Sequence, residues 1–187
     1  MTLSSRAGPL TLHLVRHAKS SWADPGLGDA DRPLAPRGER AARKLARELA
    51  RQGVAPRLVL CSSARRAVQT LDLLRPALSR PPEILVENGL YGAGGRELMT
   101  RLRQVPAGRR EVMLIGHNPG IQDLALALAG SAAPGSLHEH LPTGALVSLR
   151  FDAARWRDLR PGIGAVTRFL VPRRLRPRGR PGDPDRI

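Results

Sequence analysis

Arg16 and His17 end a short apolar run, Thr11-Leu12-His13-Leu14-Val15, and are the residues of this chain best suited to chemistry. A guanidinium holds a phosphoryl group by charge and paired donors, and a neutral imidazole beside it can attack phosphorus. Two later stretches offer the same residue types. Arg65-Arg66 follows the run Leu58-Val59-Leu60-Cys61 and the pair Ser62-Ser63, and Gly116-His117-Asn118 follows Val112–Ile115. A phosphoryl group in transfer carries negative charge on its non-bridging oxygens, which Arg16 and one arginine of the 65–66 pair would bind. One histidine would then be the nucleophile and the other a hydrogen-bond donor. The helix start after Asn118-Pro119-Gly120 would add backbone donors and a favourable dipole.

Positioning these residues requires strands that alternate with helices. The apolar run with Leu12, Leu14 and Val15, ending in Arg16-His17, reads as a buried first strand, Leu58–Cys61 as the second, Glu83–Val86 as the third and Val112–Ile115 as the fourth, with Ala145–Phe151 and Ala165–Val171 as later strands. Between them, Ala42, Leu45, Ala46 and Leu49 mark a helix over Gly38–Gln52. Ala67, Leu71, Leu74 and Leu78 mark one over Arg65–Leu78, entered through Ser62-Ser63, and further helices are expected over Arg96–Val105 and beyond Gly120. This alternation predicts a three-layer αβα fold with a mostly parallel central sheet. Right-handed crossovers place every strand-to-helix junction at one end of that sheet, so Arg16-His17, Ser62–Arg66, Glu87–Tyr91 and His117-Asn118 converge there. The loop Ser20–Pro36, rich in Asp, Gly and Pro, is long enough to form part of a site.

The 187 residues, 41% hydrophobic, suffice for one domain with a real core. The expected organisation is a flexible stretch over residues 1–9, a domain over 10–172 and a basic, disordered tail over 173–187. A net charge of +15 favours anionic partners, but aromatic residues make up only 3%, too few to stack bases, so nucleic acid is disfavoured and solvated arginine faces explain the excess. The single cysteine, Cys61, lies in an apolar strand and excludes an internal disulfide. No stretch approaches the roughly 18 apolar residues of a membrane span, and Met1–Pro9 lacks the apolar segment of a signal peptide, so a cytoplasmic protein without a membrane partner is expected.

Arg16-His17-Ala18 resembles the signature that opens the histidine phosphatase (phosphoglycerate mutase-like) superfamily. Arg66-Ala67-Val68-Gln69-Thr70 resembles its Arg-Ala-x-x-Thr element and Gly116-His117-Asn118 its second-histidine motif. The short length and Leu34-Ala35-Pro36-Arg37-Gly38 leading into the first helix are most similar to the SixA-type phosphohistidine phosphatases. The resemblance implies a phosphoglycerate mutase-like fold and a metal-independent phosphatase without cofactor. It makes His17 the phosphorylated nucleophile and places Arg16, Arg66 and His117 around the phosphate. The substrate would be a phosphohistidine protein or a small phosphorylated compound. A non-catalytic phosphate or nucleic-acid binding module is the alternative of a different class.

The chain departs from the larger members of that superfamily at the general acid. Where they carry a glutamate three residues before an aromatic, this chain has Asn88 before Tyr91, and the nearest carboxylate is Glu87. Glu87, Asp24 and Asp31 are therefore candidate proton donors. The absence fits a P–N substrate, because an imidazole leaves with less help than an alkoxide.

The remaining candidates have plain structural readings beside functional ones. Asn118 is expected to bind substrate, yet Asn118 and Thr143 could each order a turn instead. Lys19 could reach the pocket rim or stay solvated. His13 shares parity with His17, but four residues along a strand separate them by ~13 Å, too far for one metal ion. His138-Glu139-His140 lacks further ligands and is expected to be a loop, and Trp22 and Trp156 are expected to pack, Trp22 near the mouth of the site.

Overall fold

The computed structural model describes residues 8–175. Six strands, β1 (Leu10–Arg16), β2 (Leu58–Ser62), β3 (Glu83–Glu87), β4 (Glu111–Gly116), β5 (Leu146–Phe151) and β6 (Ala165–Leu170), form one sheet in the order β3-β2-β4-β1-β5-β6. β3, β2, β4 and β1 run parallel, whereas β5 and β6 are antiparallel additions. The parallel part arises because each of β1, β2 and β3 is followed by a helical crossover. The chain before β5 instead returns along the site edge, where Gly144 N donates to the carbonyls of Arg16 and His17, and so β5 enters in the opposite direction.

Both faces of the sheet are covered, which is why its inner strands read as continuous apolar runs. Strand alternation divides the core. Leu12, Leu14, Leu60 and Leu114 pack with α3 (Gly95–Arg103) and α4 (Gly120–Ala129), while Val15, Val59, Cys61 and Ile115 pack with α1 (Pro36–Arg51) and α2 (Arg65–Leu74). On α1 the stripe Ala42, Leu45, Ala46 and Leu49 is buried as its spacing predicts, and each leucine contributes about 2 kcal/mol by leaving water. His13 lies in this core, bonded to Ser148 and Glu111, apart from the chemistry.

Several boundaries differ from the sequence expectation for local reasons. α1 starts at Pro36, because a proline in the first turn sacrifices no intrahelical bond. α2 ends at Leu74 rather than Leu78 and tightens into a 3-10 turn over Arg75–Ala77, since Pro76 brings no N–H to continue the ladder. Ser62 and Ser63 do not cap α2; its cap position is Ala64. His138 and Glu139 belong to a short helix, α5 (Gly135–Glu139), rather than a loop, pinned by the buried Leu137. Pro172–Arg174 forms a 3-10 turn, so Arg173 and Arg174 are part of the structured chain; the rest of the expected tail, 176–187, and residues 1–7 lie outside the described residues.

Two glycines let helix starts approach the site loops closely. A Cβ on Gly38 would lie 2.1 Å from Lys19 O, and one on Gly120 would lie 2.0 Å from Ala93 O. Only glycine permits either approach.

Candidate active site

The carboxyl ends of β1, β2 and β4 deliver His17, Ser62 and His117 to one place. The backbone after β1 is fixed on three sides: His17 N donates to Gly116 O at 3.0 Å, Ala18 N donates to Thr70 Oγ1 at 3.0 Å, and Gly144 closes over both Arg16 O and His17 O. Thr70 in turn donates to Arg66 O at 2.6 Å, tying the histidine loop to the first turn of α2.

His17 is 8% exposed, and its Nδ1 lies 2.8 Å from Ala18 O. A carbonyl only accepts, so the proton resides on Nδ1 and the Nε2 lone pair is free. Burial pushes the imidazole down to about 3; the bond to Ala18 opposes this, and the charges of His117, Arg66 and Arg16 add to it. The ring is therefore neutral, the form in which it is nucleophilic.

The ring of His117 stands 4.8 Å from that of His17, centroid to centroid, tilted by 51°. Its Nδ1 is 3.4 Å from Arg66 Nη2 and its Nε2 is 2.8 Å from Ser62 Oγ. A guanidinium only donates, so Nδ1 accepts and Nε2–H donates to Ser62. Burial, then Arg66, lower this imidazole to about 4, with Asp29 opposing them.

Arg66, 6% exposed, spans His117 and Asp29, donating to Asp29 O and, at 2.8 Å, to Asp29 Oδ2. Arg16 donates to Leu141 O at 2.7 Å and lies 3.4 Å from His140 Nε2. The Nε donors of both arginines are buried without a partner. Unpaired buried donors on cations are costly unless an anion completes them. Two such donors lie on arginines whose charges act on the neutral imidazole of His17.

Arg16, His17, Arg66 and His117 thus come together as expected, and Arg65 is exposed. Asn118 adjoins them, but its amide donors go to Gln122 Oε1 and Leu141 O, which orders the turn that Arg16 also grips. Thr143 lies in the same returning segment, next to Gly144. Lys19 contributes its carbonyl to Ala35 N. Glu87 is not a free proton donor: Arg101 holds both its carboxylate oxygens at 2.6–3.1 Å. Asp24 and Asp31 are exposed, the former accepting from Gly26 N. Ile121 N–H, at the start of α4, is taken by His117 O, so this donor holds the histidine rather than a ligand.

The sequence places Ser62 and Tyr91 at this edge without a role for either, and does not single out Asp29 or His140 for the site. Tyr91 meets His117 edge to face at 5.5 Å and donates to Asp29 Oδ2 at 2.7 Å. Trp22, expected to pack, is 71% exposed, with the Arg32 guanidinium 3.3 Å from its ring centre; Trp156 does pack, buried with its N–H on Arg109 O. Cys61 is buried, which pushes its thiol up to about 12, so it is a core residue. Among the described residues no group of three or more His, Cys, Asp or Glu is placed to hold a metal ion, and no helix is long and apolar enough to cross a membrane.

Paired histidines and arginines stand at the carboxyl edge of the mostly parallel sheet of this α/β protein. Residues 12–90 match the model of the histidine phosphatase superfamily (branch 1). The uncharacterized protein Rv1276c of Mycobacterium tuberculosis is 36% identical over 164 residues, covering 85% of this chain and 100% of that protein. Among solved structures, a candidate phosphohistidine phosphatase SixA from Nakamurella multipartitia is similar at a TM-score of 0.75 and 30% identity, covering 89% of this chain and 98% of that one. Its counterpart from Agrobacterium tumefaciens gives 0.71 and 29%, covering 88% and 99%. The chain belongs to the histidine phosphatase superfamily, and its neighbours are SixA-like.

Proposed function

We propose that this chain is a metal-independent phosphohistidine phosphatase of the cytoplasm. The observation that carries the reading is the Nδ1–H bond from His17 to Ala18 O, which leaves the Nε2 lone pair beside two guanidiniums with unpaired donors. In the proposed reaction Nε2 attacks phosphorus in line, a P–N bond to His17 forms, and the bond to the leaving group breaks on the opposite side. Arg16 and Arg66 bind the non-bridging oxygens. The arriving dianion raises the proton affinity of His117, whose Nδ1 takes a proton from solvent, gives up its contact with Arg66 and donates to the phosphoryl group, while Nε2–H stays on Ser62. Water next attacks phosphorus, the P–N bond breaks, phosphate leaves, and His17 returns neutral.

The carboxylates favour a P–N substrate over an alkyl ester. Glu87 is held by Arg101, and Asp29 is kept ionised by the hydrogen bond from Tyr91 and by Arg66. Neither is a ready acid, and an imidazole leaving group needs one least.

The test is turnover of a phosphohistidine peptide beside p-nitrophenyl phosphate and an alkyl phosphate, with chelator present. Preference for the peptide, undiminished by chelator, is expected. Faster turnover of the esters would move the substrate to small phosphoesters, and loss of activity on chelation would overturn the metal-independent mechanism. No turnover of any of the three would leave a binding module as the better account.

A further inference from the structure

Asp29 holds a position that the reaction above does not use. It sits in a 3-10 turn (Asp29–Asp31) within the loop after β1, and its backbone carbonyl and Oδ2 both accept from Arg66. Tyr91 donates to the same Oδ2 at 2.7 Å, and Arg32 Nη1 faces Oδ1 at 3.3 Å. Among the described residues, Asp29 supplies the one carboxylate in ion-pair contact with Arg16, His17, Arg66 or His117. It is no ordinary surface aspartate, since hydrogen bonds from Arg66 and Tyr91 and the nearby charge of Arg32 hold it in place.

In-line transfer decides what that charge meets. His17 is 8% exposed, so in-line attack by its Nε2 sends the breaking bond to the side away from the ring, toward solvent. The Arg66 side chain is 7% exposed and that of Asp29 51%, which puts the carboxylate on the mouth side of the arginine. A leaving group on that side of Arg66 would have Asp29 as its neighbouring carboxylate.

We propose that Asp29 determines specificity at this site by charge: its carboxylate favours phosphoryl compounds whose leaving part is cationic or neutral and rejects those carrying a second anion next to the phosphoryl group. The inference rests on the phosphatase reading and narrows its substrate class. A protonated imidazole or an ammonium finds a counter-charge at the mouth. A carboxylate there finds a like charge, at a half-exposed position where the repulsion weakens as salt is added.

Isothermal calorimetry on the full chain at fixed ionic strength tests this, with O-phosphoethanolamine, glycerol phosphate and phosphoglycolate as probes. These are alkyl phosphates bearing a cation, no further charge and a carboxylate. The wild type should bind them tightest to weakest in that order. Asp29→Asn should raise the affinity for phosphoglycolate relative to O-phosphoethanolamine by about tenfold. Tyr91→Phe, which keeps the charge, should keep the order, and inorganic phosphate bound by Asp29→Asn as tightly as by wild type or tighter reports an intact pocket. No charge order in wild type, or an order unchanged in Asp29→Asn, overturns the proposal. Binding is read without turnover, so the two readings fail separately: ligands bound in charge order by a chain that hydrolyses no phosphoryl substrate would sink the phosphatase reading alone. Failure of the wild type to bind inorganic phosphate or any probe would remove both.

Discussion

Ser62 Oγ accepts the Nε2 proton of His117 across 2.8 Å, and this one bond fixes which face of the second histidine looks into the pocket. Ser62 is fully buried at the end of β2 and its oxygen also accepts from Ala64 N, so both of its lone pairs are engaged. With Nε2–H anchored, Nδ1 is left toward Arg66.

Replacing Ser62 by Ala should therefore cost both stability and catalysis. The orphaned Nε2–H is worth about 1–2 kcal/mol in chemical denaturation. Steady-state kinetics should show kcat down by about tenfold with KM little changed, because the lost contact orients a group that acts in the transition state. An unaltered kcat would mean that His117 needs no such anchor.

Arg66 should not be replaceable by Lys. A lysine supplies the charge but not the fork that reaches His117, the phosphoryl group and the Asp29 turn together. Arg66→Lys should lower kcat/KM by about 100-fold and also lower the melting temperature by a few degrees, because the bonds to His117 and the Asp29 turn are not all replaced. Loss of less than a factor of about three would show that point charge alone suffices.

Much of this site was legible from the sequence, for a topological reason. His17 and His117 each follow an apolar run and precede a helix, and parallel βα units put such junctions on one edge whatever their separation in the chain. Arg66 lay in the same kind of junction. The missed groups have no such signature. Ser62 sits where a helix cap is expected, and its hydroxyl went to His117 because Ala64 opens α2 without a side-chain cap. Asp29 is one of three aspartates in a long loop, and only the path of that loop over Arg66 distinguishes it from Asp24 and Asp31. Glu87 reads as the nearest carboxylate, but Arg101 on the next helix neutralises it.

The histidines also predict a pH dependence. His17 is lowered to about 3 and His117 to about 4, burial being the largest cause for both, from an ordinary value of 6.5. Between those values the unfolded chain binds protons that the folded chain does not, so stability rises with pH across the window. It is fully present above about pH 6.5 and declines as the pH falls toward 4, by up to about 1 kcal/mol per pH unit for each ring. Urea midpoints from about pH 4.5 to 7 should fall less steeply on acidification for His17→Ala than for wild type. Parallel pH profiles would contradict a buried, neutral His17.

Gly38 and Gly120 hold α1 and α4 against the loops that bracket the site. Alanine at either position would drive a Cβ to 2.1 Å from Lys19 O or 2.0 Å from Ala93 O, and a backbone oxygen cannot swing aside. Each substitution should destabilise by about 2–3 kcal/mol in urea. Gly89, with open space around its would-be Cβ, serves as the control and should tolerate alanine within about 0.5 kcal/mol.

The central claim is that His17 Nε2 carries the phosphoryl group. Rapid quench of wild type and His17→Ala with a phosphohistidine peptide or p-nitrophenyl phosphate, followed by mass spectrometry under alkaline conditions, tests it most directly. The account predicts an acid-labile adduct of one phosphoryl group on His17, formed and discharged at rates that support turnover, and neither adduct nor turnover in a folded His17→Ala variant. Sustained turnover in that variant, or an adduct mapped to another residue, would contradict it.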